Sequence, residues 1–128
     1  MTVAQNFQIR RLADGRACLN LGSSARVSPN WNNVDSSWLF RVGRHRRLSR
    51  LLHYFGILTA DRFARMQRLD RGSVLWNLAK GIPFPDLSFD VVYHSHFLEH
   101  VEKESAPAMI RECLRVLRRG GLLRVVVP

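Results

Sequence analysis

Lysine is nearly missing from this chain, with only Lys80 and Lys103 among 20 basic residues. Acidic residues number 10, so the formal net charge is +10. Cysteine is scarce as well. Cys18 and Cys113 are too few for a disulfide framework or for a zinc site built on cysteine, and a reducing, cytoplasmic setting is the expectation. No apolar run approaches the roughly 18 residues that would span a bilayer. The first residues, Met1 to Arg11, lack an apolar core followed by a small-residue cleavage site, so secretion is not indicated. These shortages argue against a disulfide scaffold, a membrane-spanning protein and a secreted one. What remains is ordinary for a single globular domain: 128 residues, 46% hydrophobic and 23% charged.

The basicity is concentrated. Arg41 to Arg71 carry nine arginines against two aspartates, a net +7. A surface of that kind attracts nucleic acid, anionic lipid or an acidic substrate through its long-range field. Nucleic acid is therefore a candidate partner. A solvated face is the plainer reading.

Three segments emerge along the chain. Ala17-Cys18-Leu19-Asn20-Leu21, stopped by Gly22, reads as a buried strand, and Trp31 to Asp35 reads as a weaker one. Only Ser23 to Asn30 lie between them, fewer than the dozen or so residues of an ordinary parallel crossover. The pair is either a hairpin or two parallel strands joined by a compressed connection. Leu48, Leu51, Leu52, Phe55 and Leu58 then repeat with helical spacing, flanked by Arg44, Arg47 and Arg50. Thr59 is placed to cap a second helix in which Phe63, Met66 and Leu69 share a face.

The third segment alternates in kind. Ser73 to Leu78 reads as a strand, Gly81 to Asp86 as a loop because of Pro83 and Pro85, and Phe89 to His94 as another strand. A helical turn begins at Phe97. Ser105 is placed to cap a helix with Met109, Ile110, Cys113, Leu114 and Leu117 as its core stripe, ended by Gly120-Gly121. Leu122 to Val127 is a last apolar strand. Strand, helix and strand in this order predict a parallel sheet buried on both faces.

His96-Phe97-Leu98-Glu99-His100 fits an H-x-x-E-H pattern, which on a helix would set two zinc ligands on one face with Glu99 as base. A third ligand at the usual spacing is missing, so no metal is expected. Cys18 and Cys113 sit among apolar residues and read as core fillers.

Together these stretches resemble the class I S-adenosylmethionine-dependent methyltransferases, of the type 11-like kind. Ile82-Pro83-Phe84, Ser88-Phe89-Asp90, His96 to His100 and Glu112 to Gly121 stand where that family has its Leu-Pro-Phe, Ser-Phe-Asp, His-x-Leu-Glu-His and Glu-x-x-Arg-Val-Leu-x-Pro-Gly-Gly motifs. Leu19 to Asp35 is similar to its glycine-rich first motif. The resemblance covers Ala17 to Pro128. It implies an α/β, Rossmann-like, mostly parallel sheet of about five strands flanked by helices, an incomplete version of the family's seven-stranded fold. One domain, 1–128, would hold the first motif (17–35), a basic helical insertion (41–71) and a βαβ core (73–128).

The resemblance also implies S-adenosyl-L-methionine as cofactor. Gly22, Ser23 and Ser24 would form the turn at its methionine end, Asp35 would hold the ribose hydroxyls, Asn77 and Leu78 the adenine, and Ser95 and His96 would face the amino-acid and methyl end. The expected activity is methyl transfer to an unnamed acceptor, small or polymeric, with no catalytic residue assigned. The alternative is an inactive, basic member of the fold that binds nucleic acid or another anionic partner. Three departures from the family pattern stand out: Gly-Ser-Ser where Gly-x-Gly is usual, Asn77 where Asp is usual, and an end at Pro128 just after the fifth strand. The bare last strand is a candidate site of association.

Overall fold

The computed structural model describes residues 7–23, 27–36, 45–67 and 73–128, with 65–67 described by their backbone alone. Ser24 and all of 37–44 and 68–72 thus lie outside the described residues, including Arg41, Arg44, Arg68 and Arg71 of the basic stretch and Leu69 of the second helix.

Five strands form one sheet: β1 (Cys18–Leu21), β2 (Asn32–Asp35), β3 (Val74–Leu75), β4 (Phe89–Ser95) and β5 (Leu117–Val126). Their spatial order is β3-β2-β1-β4-β5, and every neighbouring pair is parallel. Three α-helices are described: α1 (Arg46–Tyr54), α2 (Ala60–Gln67) and α3 (Ala106–Val116). Short 3-10 turns occupy Leu78–Lys80 and Leu98–His100. The expected Rossmann-like α/β sheet is what the chain forms.

Parallel pairing of Leu19 with Asn32 and Leu21 with Val34 excludes the hairpin for β1 and β2. Side-chain amides make the compressed connection possible. Asn33 accepts from the Ser28 N–H (3.0 Å) and from Asn20 Nδ2 (3.0 Å), and its own Nδ2 donates to the carbonyls of Ser28 and Trp31. Asn32 exchanges two bonds with the backbone of Arg10, at 2.8 and 3.0 Å, and donates to the Cys18 carbonyl. Asn20, Asn32 and Asn33 are all buried. Asn32 and Asn33 meet backbone groups beside the strands and Asn20 bonds the Asn33 side chain, so residues of poor strand propensity sit inside the sheet.

The core gathers Leu19, Leu21, Val34, Phe89 and Val92 from the sheet, Met109, Cys113 and Val116 from α3, and Leu78, Ile82 and Phe84 from the loops. Phe7 joins it from the N-terminal segment, against Trp76 and Phe84. That segment carried no signal in the sequence reading.

Several expectations need correction. β3 is only Val74–Leu75, and Asn77 has left the strand to cap the turn behind it. The last helix ends at Val116, four residues before the glycines, and Gly120-Gly121 lie inside β5. The β4–β5 register jumps from Phe89↔Leu117 to Val91↔Leu122, so Arg118 to Gly121 bulge from the ladder opposite Asp90. Gly120 has φ +77°, a turn that suits glycine. Leu117 is a strand residue, and Leu114 is 55% exposed. Ser105 stands at the helix start without a side-chain cap bond. β5 is an edge strand among the described residues, with Leu122 58% exposed, so the sheet is not covered evenly on both faces. The stripe of the first predicted helix is split: Leu48, Leu51 and Phe55 are exposed, while Leu52 is half-buried and Leu58 and Ser49 are buried.

Candidate functional site at the carboxyl edge of the sheet

A parallel sheet presents all its strand ends along one edge. Here the order reverses at β1, whose chain continues to β2 on one side while β4 lies on the other. A crevice at such a reversal is where open α/β sheets bind ligands. The register pairs Leu21 with both Val34 and His94, and Asp35 with Leu75. Gly22, Asp35, Ser95 and His96, and Asn77 two residues beyond β3, therefore stand along that one edge.

Each position has a local cause. Gly22 adopts φ +64°, and its N–H donates to the Val34 carbonyl at 2.9 Å. A Cβ placed on it would stand 2.6 Å from Cδ2 of Phe97. Only glycine satisfies both the backbone turn and the ring beside it. Ser23 follows, buried, with its hydroxyl lacking a hydrogen-bond partner among the described residues. Asp35 closes β2, also buried, and its carbonyl accepts from the Trp76 N–H at 3.0 Å. Asn77 Oδ1 accepts from the Ala79 N–H at 3.0 Å and starts the 3-10 turn containing Leu78. One lone pair and the NH2 group of that amide stay outside the cap.

A cavity of about 470 Å³ opens at the same edge. Its lining includes Ser36, Asn77, Leu78, Phe97, Met109 and Glu112. Two of the sequence-predicted residues, Asn77 and Leu78, thus line it directly. Asp35 and His96 are next in sequence to lining residues, Ser36 and Phe97, and Gly22 touches the Phe97 ring. Ser23 and Ser95 do not line it, and Ser24 lies outside the described residues.

The segment after β4 is not the helix an H-x-x-E-H zinc pair requires. His96 takes a left-handed turn (φ +50°), and Leu98–His100 form one 3-10 turn. His96 Nδ1 lies 3.2 Å from Glu99 Oε1. Among the described residues no three His, Cys, Asp or Glu side chains gather as a metal site.

Sequence reasoning missed two features. His94 is fully buried near the end of β4, its ring edge-on to Phe97, and neither ring nitrogen has a hydrogen-bond partner among the described residues. Burial pushes its pKa down, and Glu99 opposes that only in part. The alternation of β4, with Val92 and His94 on one buried face, was the available signal. The second is a clasp behind the cavity. Arg115 binds both carboxylate oxygens of Glu112 at 2.8 Å, the carbonyls of Ile82 and Phe84, and Asp86. Glu112 also accepts from the Ile82 N–H. The Arg115 hydrogen bonds hold the Glu112 carboxyl below the usual carboxylate range, against the opposing effect of burial. Cys113, between these two residues in sequence, is buried and has its thiol pushed up to about 11 by burial. That is the chemistry of a core residue and not of a nucleophile.

With this geometry in view, comparison with known proteins gives the class. A family model described as a methyltransferase domain matches residues 47–125. The chain belongs to that family. A protein of Mycobacterium tuberculosis named a probable S-adenosylmethionine-dependent methyltransferase, Rv3030, is 46% identical over 52 residues, which are 41% of this chain and 18% of the relative. A Mycolicibacterium smegmatis protein of the same description is 42% identical over 52 residues, 41% of this chain and 19% of its own length. The match thus spans less than a fifth of these curated relatives. A crystal structure from Methanococcus maripaludis, described as a candidate S-adenosyl-L-methionine-dependent methyltransferase, superposes with TM-score 0.50 at 19% identity, over 94% of this chain and 49% of that one. This last likeness is one of fold.

Proposed function

We propose that the domain binds S-adenosylmethionine across the carboxyl edge of its sheet and serves methyl transfer to an acceptor held beside that edge. The observation that carries this reading is the alignment of Gly22, Asp35, Asn77 and His96 along one edge, at the strand-order reversal. The residues present fit the cofactor. Ser23 offers a buried hydroxyl with no hydrogen-bond partner among the described residues, in a turn whose glycine keeps the backbone bare. An adenosyl sulfonium with an amino-acid tail needs such groups.

Gly22 and Ser23 would hold the methionine end, with Ser24 in the same turn. The Asp35 carboxylate would accept from the ribose hydroxyls. Asn77 would meet the adenine edge through the part of its amide outside the cap, with Leu78 as an apolar wall. Ser95 and His96 would border the methyl end. When bound, the cofactor supplies a methyl group whose sulfur keeps the bonding electron pair as the acceptor takes the carbon. The protein's part is to orient the two in line and to exclude water. The clasp of Glu112 and Arg115 keeps the Ile82 to Asp86 loop in place behind the cavity.

Calorimetric titration with S-adenosylhomocysteine tests this. Saturable 1:1 binding is expected. Asp35→Ala is expected to weaken it by about 1–3 kcal/mol, the loss of a hydrogen-bonded charge, with circular dichroism checking that the fold survives. A folded wild-type chain that gives no binding isotherm would refute the proposal.

A further inference from the structure

The helices α1 and α2 form a small unit with an interior of its own. Leu58 is buried between them, and His53 stacks on Phe63 with ring centroids 4.3 Å apart and planes 9° from parallel. His53 Nδ1 also lies 3.2 Å from the Leu58 carbonyl. Thr59 caps α2 through the Arg62 N–H. That interior uses one side of α1, where Ser49 is buried and Leu52 half-buried. The other side faces outward. Leu48, Leu51 and Phe55 repeat there at i, i+3 and i+7, and Phe55 is 66% exposed. Tyr54 is 84% exposed, and Ile57 in the following turn is 66% exposed. Arg47 is exposed beside this stripe, one turn before Leu51, Arg46 and Arg50 are exposed further round the helix, and α1 contains no acidic residue.

Charge decides what fits such a face. A second copy of the chain would bring the same arginines against it, in a protein of net charge +10. A nucleic acid would pair with the arginines but leave the leucines and phenylalanine without a role. An anionic bilayer surface satisfies both halves, because its headgroups meet cations and its acyl boundary accepts apolar and aromatic side chains.

We propose that α1 and the turn after it dock on an anionic lipid surface. Leu48, Leu51 and Phe55 enter the acyl boundary, Tyr54 sits at headgroup level, and Arg46, Arg47 and Arg50 meet lipid phosphates. The proposal does not depend on the cofactor reading.

Flotation with vesicles provides the test. The intact chain should float with phosphatidylcholine vesicles containing phosphatidylglycerol and stay behind with pure phosphatidylcholine. Replacing any one of the three arginines by glutamine should weaken binding about fivefold, as expected for one cation near an anionic surface. Leu51→Ser with Phe55→Ser should abolish flotation with an unchanged melting temperature, since both side chains are already in water. Leu122→Ser, on the exposed edge strand, should leave flotation as it was. The proposal is overturned if the intact chain does not float. It is also overturned if the Leu51/Phe55 variant floats normally, or if Leu122→Ser abolishes the effect. A duplex DNA that binds the intact chain and the double serine variant equally, while vesicles bind neither, would give the face to nucleic acid instead.

Discussion

Gly22 and His94 show how single residues set this protein's limits. Gly22 combines a left-handed turn with a ring packed where a side chain would begin. Gly22→Ala is expected to cost about 1–3 kcal/mol through strain and overpacking, read as a lowered denaturation midpoint. His94 is buried with no hydrogen-bond partner among the described residues, and burial makes the fold prefer its neutral form. Its folded pKa lies below the unfolded value of 6.5. Stability from this residue is therefore fully present above that value and is lost as pH falls from there toward the folded pKa. A His94→Leu variant should melt with a flatter pH dependence below 6.5, and equal slopes in variant and wild type would reject the idea. Residues of this kind differ in how openly a sequence shows them. Gly22 stands out because it ends an apolar run. The three buried asparagines do not, because their value depends on carbonyls brought near by the fold.

Elements were legible where periodicity was tied to burial, and misread where it was not. β1 and β4 lie where their apolar runs predict, and β4 extends one residue further, to Ser95. The α1 stripe has equally good spacing, yet Leu48, Leu51 and Phe55 face out while Leu52 and Leu58 turn inward, because periodicity marks a face without saying what covers it. Gly120-Gly121 looked like a helix stop and instead sits in a strand bulge, since glycine serves both turns. The clasp between α3 and the Ile82 to Asp86 loop joins residues about 30 positions apart, beyond any local pattern. Arg115→Met should leave Glu112 charged and partly buried, with a fall in melting temperature at neutral pH larger than for exposed Arg111→Met. The Glu112 carboxyl, with its lowered pKa, adds stability that is present above its unfolded value of about 4.5 and is lost as pH falls through the folded one. The stability difference between wild type and Glu112→Gln should accordingly shrink in acid.

At the scale of the whole molecule a mostly parallel sheet of about five strands was readable, from the alternating strand and helix pattern and the family resemblance, whereas the β1–β2 pairing and the reversal at β1 come from the structure. The strand ends that the resemblance named one by one, Gly22, Asp35, Asn77 and His96, fall along one edge of that sheet. Cavity membership was less readable. Phe97, Met109 and Glu112 enter from elements that approach only in the folded chain. The outer strand β5 exposes Leu122 and Val125, an invitation to intermolecular pairing. Leu122→Lys should reduce concentration-dependent association in analytical ultracentrifugation, and identical sedimentation of both forms would count against an edge-driven process.

The bonds between Asn32 and Arg10 carry a practical corollary. Both the N–H and the carbonyl of Arg10 are engaged by one amide lodged inside the sheet. The leader before β1 is thus a strap whose removal would strand that amide among apolar neighbours. A trypsin cut after Arg10 or Arg11 should lag behind cleavage in freely hydrated backbone. Engineering that trims the chain to its first strand would forfeit cohesion that no inspection of the strand itself reveals.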